Sequence, residues 1–386
     1  MSADLPQDYI QVFSNSLGKE ELDAVGTVFD SQWLGKGPVC DAFEADLATT
    51  LKTENFLLTS SGTASIFLAV KALDIKPGDE VIVSSINFIA CASAIVEVGA
   101  TPIFADVDPH TLNITADEIT RLITHKTRAV IVLHYGGHPC DMEAILQACG
   151  SDIAIIEDAA VAFPASINGR ACGTFGDIGV FSFNAVKAVS MGDGGGLAIR
   201  DTAVAELAKS HRFLGLGDKT RSGLDALTKS KPTRWWEYEL QEIAGRHISN
   251  DILAAIGRVQ LKKLPATTRR RKKVWDTYQK AFAGVEGLLR PPEPAKGYKS
   301  AYFMYWIQVG DKRDALAAYL AENGVYCTFR YYPLHLIKHF NSDVVLPGAE
   351  LANEITLNIP LHQNLTDAHL EKIIGLVKTF LSEGRT

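Results

Sequence analysis

The sequence predicts an α/β protein: a large unit built on a mostly parallel sheet with helices on both faces, followed by a smaller C-terminal α+β unit. Three observations predict it. Short β-rich runs alternate with longer helical patterns along the first half of the chain. Most of those runs are apolar on both faces, as strands sandwiched between helices must be. The length of 386 residues, 47% hydrophobic and 22% charged, allows a core large enough for two domains.

The elements follow in order. Strands are expected at NFLLTS (55–60), EVIVSS (80–85), TPIFADV (101–107), AVIVLH (129–134), IAIIED (153–158), IGVFSF (178–183) and GLAIR (196–200). Between the first two, TASIFLAVKALD (63–74) starts at a Ser-Gly-Thr turn and stops before Pro77-Gly78, which reads as a helix. A helix over 202–213 runs out into a polar, Gly-containing stretch, 214–235, expected to be a long functional loop. NDILAAIGRVQLKKL (250–264) and the charged helix after it lead into the smaller unit. The division expected is 1–249, a large domain with an N-terminal segment, and 250–386, a connecting helix and small domain.

Charge and composition exclude several functions. A net charge of −7 argues against a phosphate-backbone partner, which would need a basic face, so no nucleic-acid partner is expected. The N-terminal MSADLPQDYI lacks a basic region followed by an apolar core, and no apolar run reaches the roughly 18 residues of a membrane span; the expectation is a cytoplasmic protein without a membrane partner. The six cysteines (Cys40, Cys91, Cys140, Cys149, Cys172, Cys327) form no CxxC pair and read as reduced, mostly buried thiols. His134 and His138 flank Gly136-Gly137 and lack the helical spacing of a metal pair, while His335 and His339 have the spacing but no third ligand, so no metal is expected. The basic run Arg269 to Lys273 could grip a diphosphate, but a solvated helix face is the plainer reading.

The chemistry lies at the ends of the strand-like runs. SSGTAS (60–65) follows a strand and opens a helix, so the amides of Gly62, Thr63 and Ala64 with the Thr63 hydroxyl form an anion site, or simply a helix cap. Asp158 ends the fifth run, at the edge where open α/β sheets place ligands, and could keep a pyridine nitrogen protonated or cap the segment after it. Phe88 could stack on a flat ring or belong to the core. Lys187 stands between a strand end and a glycine-rich turn, where a desolvated amine becomes a nucleophile at neutral pH, and Ser182 precedes it by five residues. A carboxylate for a pyridinium and a lysine for a carbonyl are what a pyridoxal 5′-phosphate enzyme requires.

In this order, SLGKEELDAV, SQWLGKGPVCDAFE, LLTSSGTAS, KPGDEVIVSSINF, GATPIFADVDPHTLNI, HYGGHPCDMEAI, IIEDAA, GVFSFNAVK, GDGGG, NDILAAIGRVQLKKL, FRYYPLHL and TLNIPLHQNLT resemble the DegT/DnrJ/EryC1/StrS family of pyridoxal 5′-phosphate-dependent sugar aminotransferases, within fold type I, over nearly the whole chain. The resemblance implies an aspartate aminotransferase-like large domain, a small C-terminal domain and a homodimer with shared active sites. It assigns Lys187 as the cofactor-binding lysine and proton shuttle, Asp158 to the pyridine nitrogen and Phe88 to the ring face. Gly62, Thr63, Ala64 and Ser182 fall to the phosphate; Arg330, Tyr331 and His335 fall to the substrate. Three departures stand out. Val161 replaces the Gln or His usual three residues after the Asp; Gly245 to Asn250 lacks the usual Gly-x-Asn-x-Arg, leaving Arg246 or Asn250 to reach the partner's phosphate; and Arg330 stands where His is common.

The activity implied is amino transfer, from glutamate, to a nucleotide-linked keto sugar such as a 4-keto-6-deoxy hexose, in amino-sugar, lipopolysaccharide or other surface-polysaccharide biosynthesis. The alternatives are the family's keto-sugar dehydratase branch, which has His where Lys187 stands, and a non-catalytic cofactor- or sugar-binding regulator.

Overall fold

The computed structural model describes residues 9–216 and 240–383. All seven predicted runs are strands, and they share one sheet: β1 (Asn55–Thr59), β2 (Glu80–Ser84), β3 (Thr101–Ala105), β4 (Thr127–Leu133), β5 (Ala154–Asp158) and, after the two-residue strands β6 (Ser166–Ile167) and β7 (Arg170–Ala171), β8 (Ile178–Ser182) and β9 (Gly195–Ile199). The order is β1-β9-β8-β5-β4-β2-β3. Only β9 runs against its neighbours; the remaining pairs are parallel. The carboxyl ends of the other six strands therefore lie along one edge, with the start of β9 among them.

The helices named here, in chain order, are α1 (Lys19–Asp30), α2 (Pro38–Leu51), α3 (Gly62–Ala72), α4 (Ile89–Glu97), α5 (Ala116–Leu122), α6 (Met142–Cys149), α7 (Thr202–Arg212), α8 (Asp251–Ala281), α9 (Arg313–Glu322), α10 (Pro347–Ile355) and α11 (Asp367–Ser382). Their starts are written in the sequence. Ser61, Thr115, Asp141, Asp201, Asn250 and Thr366 each accept an amide of the following first turn, satisfying a donor that the helix leaves open.

Successive strand residues face opposite layers. Val81, Val83 and Ile131 pack with Ile66 and Ala69 of α3, Ile95 of α4 and Ala205 of α7. Ile82, Val130 and Val132 pack with Phe43 and Leu47 of α2, Ile119 of α5 and Ile145 of α6. This two-sided burial explains why the runs are apolar throughout. Loss of one such side chain to Ala costs about 2–5 kcal/mol.

A third core closes the C-terminal part, where α9 and α11 cover the two-stranded sheet of β11 (Tyr305–Gln308) and β12 (Thr356–Ile359); β10 (Tyr298–Lys299) pairs instead with β6. Helix α8 serves two cores. Its Ala254 and Leu264 lie in the sheet layer, and its Val274, Trp275 and Tyr278 lie in the C-terminal core. Burial at both ends carries the helix through Pro265. The solvated reading of the basic run holds for Arg269, Lys272 and Lys273, which are exposed, and fails for Arg271, which is fully buried. The predicted loop 214–235 lies outside the described residues from 217 onward. Among the described residues no helix is long and apolar enough to cross a membrane. The six cysteines are free, five of them buried and Cys327 half-buried.

Candidate active site

The strand ends converge on a cavity of about 320 Å³. Gly62 and Thr63 open α3 after β1, Phe88 caps α4 after β2, Asp158 ends β5, Ser182 ends β8, and Lys187 follows in the turn that leads to β9. All six line this cavity, and Arg330 and Tyr331 from the C-terminal part close it.

Asp158 is 5% exposed. Its Oδ1 accepts the Ala160 amide at 3.1 Å and its Oδ2 accepts the Cys91 thiol at 3.4 Å. No cation lies within ion-pair distance among the described residues. Burial raises the carboxyl pKa, and the Ala160 amide, the charge of Lys187 and the Cys91 bond only partly offset that. A buried carboxylate with two weak donors and open space beside it suits a protonated ring nitrogen. Cys91 escaped the sequence reading, although it lies one helical turn after Phe88 and so on the same face. Its own thiol is pushed well above its usual range, first by burial and then by Asp158, so it stays a neutral donor.

Lys187 lines the cavity, and the protein crowded around the amine desolvates it and lowers the pKa to about 8; Asp158 opposes this and Arg330 adds to it. An amine near pKa 8 is partly free base at neutral pH and can attack a carbonyl.

The start of α3 is shaped for an anion. Ser61 Oγ takes the Ala64 amide at 3.0 Å, so Ala64 spends its donor on the cap and is not among the cavity-lining residues, while Gly62 and Thr63 are. A Cβ on Gly62 would sit 2.8 Å from the Ser182 Cβ; glycine is what lets this helix start approach the end of β8. Phe88 is 48% exposed, so its ring is a wall of the cavity rather than core. It tilts against Tyr331 at 5.9 Å between centroids.

Other expected residues lie elsewhere. His335 is buried, its Nδ1 2.6 Å from Ser85 Oγ and its Nε2 3.3 Å from Glu350 Oε1, joining the C-terminal part to the end of β2 instead of facing the cavity. Arg246 borders a separate hollow with Trp33 and Phe213, and Asn250 caps α8. Neither lines the cavity of its own chain. Val161 is buried beside Lys187, among Phe163, Val189 and Phe303, so an apolar wall stands where a polar side chain is usual.

Comparison with known proteins agrees with this geometry. The pattern of the DegT/DnrJ/EryC1/StrS aminotransferase family matches residues 15–378. A dTDP-4-dehydro-2,3,6-trideoxy-D-glucose 4-aminotransferase of Saccharopolyspora spinosa is 43% identical over 361 residues, covering 92% of this chain and 93% of the relative. The crystal structure of an aminotransferase, TlmJ, from Streptoalloteichus hindustanus superposes with a TM-score of 0.91 at 44% identity, covering 97% of this chain and 99% of that one. The PLP form of a putative sugar aminotransferase, Spr1654, from Streptococcus pneumoniae gives 0.89 at 26% identity, covering 98% and 100%. The chain therefore belongs to the DegT/DnrJ/EryC1/StrS aminotransferase family and has the fold type I architecture.

Proposed function

We propose that this protein is a pyridoxal 5′-phosphate-dependent aminotransferase that moves an amino group from glutamate to a nucleotide-linked keto sugar, a 4-keto-6-deoxy hexose, in amino-sugar or surface-polysaccharide biosynthesis. The observation that carries the reading is the pairing, in one cavity, of a lysine whose pKa is lowered to about 8 with a buried carboxylate that has no ion-pair partner among the described residues. The named 4-aminotransferase of Saccharopolyspora spinosa supports the nucleotide keto sugar as substrate class.

When bound, pyridoxal 5′-phosphate supplies the electron sink that makes the donor's α-proton acidic and carries the nitrogen to the sugar ketone. The residues do the rest. Asp158 would hold the ring nitrogen in its protonated, positive form by its own negative charge. Lys187 Nζ takes the proton from the donor's α-carbon, as general base. Gly62 and Thr63 at the helix start, with the Ser182 hydroxyl, receive the phosphate. Phe88 offers its exposed face to the ring, and Arg330 holds an anionic group of donor or sugar nucleotide by its planar fork. Lys187 also disfavours the dehydratase branch.

A phosphate dianion needs more donors than the described residues of one chain bring to this cavity, and Arg246 and Asn250 lie away from it, Arg246 beside the exposed Trp33 and Phe213. We assign those two residues to the partner's cofactor site in a homodimer. Residues 1–249 would then bind the cofactor and 250–386 close over the substrate, in a cytoplasmic enzyme.

The reading is tested by loading the protein with the pyridoxamine form of the cofactor and screening nucleotide keto sugars by absorbance. Conversion to the pyridoxal form by a 4-keto-6-deoxy sugar nucleotide is expected. If no keto sugar converts a form that 2-oxoglutarate does convert, the sugar assignment is wrong.

A further inference from the structure

The segment before α1 is sewn onto the C-terminal part of the molecule. Ile10 bridges to Val325, the Leu361 amide donates to Val12 O at 3.3 Å, His362 Nε2 lies 3.1 Å from Gln11 O, and Gln363 Nε2 donates to Ser14 O at 2.9 Å. These bonds deliver Phe13 to the active-site region. Its ring stacks on Phe303, with centroids 5.1 Å apart and planes 19° from parallel.

Three cations gather on those two rings. Arg330 Cζ lies 4.7 Å from the Phe13 centroid, Lys187 Nζ lies 5.2 Å from that of Phe303, and Arg271 Cζ lies 5.5 Å from the same Phe303 ring. Among the described residues none of the three has a carboxylate partner. Arg271 gives only its Nε to Gln363, at 3.0 Å, and both its Nη atoms are buried without partners. Ring faces attract cations without accepting their N–H bonds. A carboxylate would orient Arg330 equally well, but it would occupy the fork that an incoming anion needs. Beside Lys187 it would raise the amine's pKa and silence the nucleophile.

We infer that Phe13 and Phe303 are positioning residues of the amino-transfer site, Phe13 orienting Arg330 for the carboxylate of the amino donor and Phe303 orienting Lys187, so that the N-terminal segment is part of donor recognition. This rests on the aminotransferase reading of the cavity given above. Phe13 acts through Arg330 and does not touch the cofactor site.

The test compares Phe13→Leu, which keeps apolar bulk and removes the ring face, with Phe13→Tyr, which restores the face; Phe13→Met replaces the leucine variant if that one does not fold. Two quantities are read: the glutamate KM and kcat of the holoenzyme, and calorimetric binding of 2-oxoglutarate to the cofactor-free protein. Phe13→Leu should raise the glutamate KM about 2- to 30-fold, the range one cation–π contact spans, with kcat within about threefold. Binding of 2-oxoglutarate should weaken by the same factor, and Phe13→Tyr should recover both. Phe303→Leu should shift the midpoint of cofactor capture by Lys187 to lower pH by about 0.5–1 unit, because the ring face favours the charged amine. Asp158 on β5 and Arg330 from the C-terminal part act on the same amine, Cys91 on α4 and Tyr331 line the cavity with it, and all four are unchanged in that variant. Wild-type KM and 2-oxoglutarate binding in a folded Phe13→Leu or Phe13→Met protein, in an enzyme that does capture the cofactor on Lys187 and does transaminate, would overturn this inference alone. Failure of wild type to capture the cofactor on Lys187 would overturn the reading beneath it.

Discussion

At the scale of single residues, Asp158 and Lys187 are each held in a state that costs free energy in the cofactor-free protein and is put to use once the cofactor binds. Asp158→Asn removes the charge that a protonated ring nitrogen needs while leaving the Ala160 turn bond to the side-chain oxygen. Turnover should fall on the order of 100-fold or more, with the melting temperature little changed. Near-normal turnover would reduce Asp158 to a turn cap. Lys187 gives a pH prediction with a definite sign. Below about pH 8 its amine is protonated and cannot attack, and above it the free base dominates, so the rate of cofactor capture should rise with pH through a midpoint near 8, not near the ordinary lysine value of 10.5. Stopped-flow absorbance across pH 6–10 reads it. Both residues were legible in the sequence because Asp158 ends one strand-like run and Lys187 lies just beyond the end of another, and strand ends are where such sheets bind ligands. Phe13 and Phe303 were not legible, since they meet only through tertiary packing of distant segments, and no local pattern marks such a pair.

At the scale of elements, the seven strands could be read from the chain because both faces of each are buried, which writes continuous apolar runs. Helix α8 could be read only in part. Its charged middle looks solvated by composition, and only the packing of its two ends into two different cores shows why Arg271 is inside. His335 is a different case: the family resemblance puts it at the substrate, while its bonds tie one element to another. His335→Leu should therefore cost about 1–3 kcal/mol of stability, seen as a lower urea midpoint, and leave the KM of both substrates within about twofold. A selective rise in one KM with unchanged stability would restore the substrate role. The start of α3 makes a complementary case. A methyl on Gly62 meets Ser182 at 2.8 Å, so Gly62→Ala must push the helix start from the strand end. Cofactor affinity should weaken roughly tenfold or more, as overpacking at a fitted contact does, with fluorescence titration as the readout. Unchanged affinity would mean that the phosphate is held elsewhere.

At the scale of the whole molecule, one chain brings to the cavity the lysine, the carboxylate, the ring wall, and the start of α3 beside Ser182. A single sequence states which residues it contains but not how far each side chain reaches, and so it leaves open the choice between Arg246 and Asn250 for the partner's phosphate. Their position away from the cavity favours service to the partner. Mixing tests this: chains inactive through Lys187→Ala and chains inactive through Arg246→Ala/Asn250→Ala should regain partial activity when refolded together, because a heterodimer holds one intact site. Dead heterodimers, or a fully active double variant, would show each site to be self-contained.

The central claim, that this cavity holds pyridoxal 5′-phosphate on Lys187, is met most directly by borohydride reduction of the cofactor-loaded protein followed by peptide mapping. The account predicts a yellow protein that bleaches on reduction and carries one pyridoxyl group per chain, on the peptide that contains Lys187 and nowhere else. A label on a different lysine, or a chain that takes up no cofactor at saturating concentration, would contradict it.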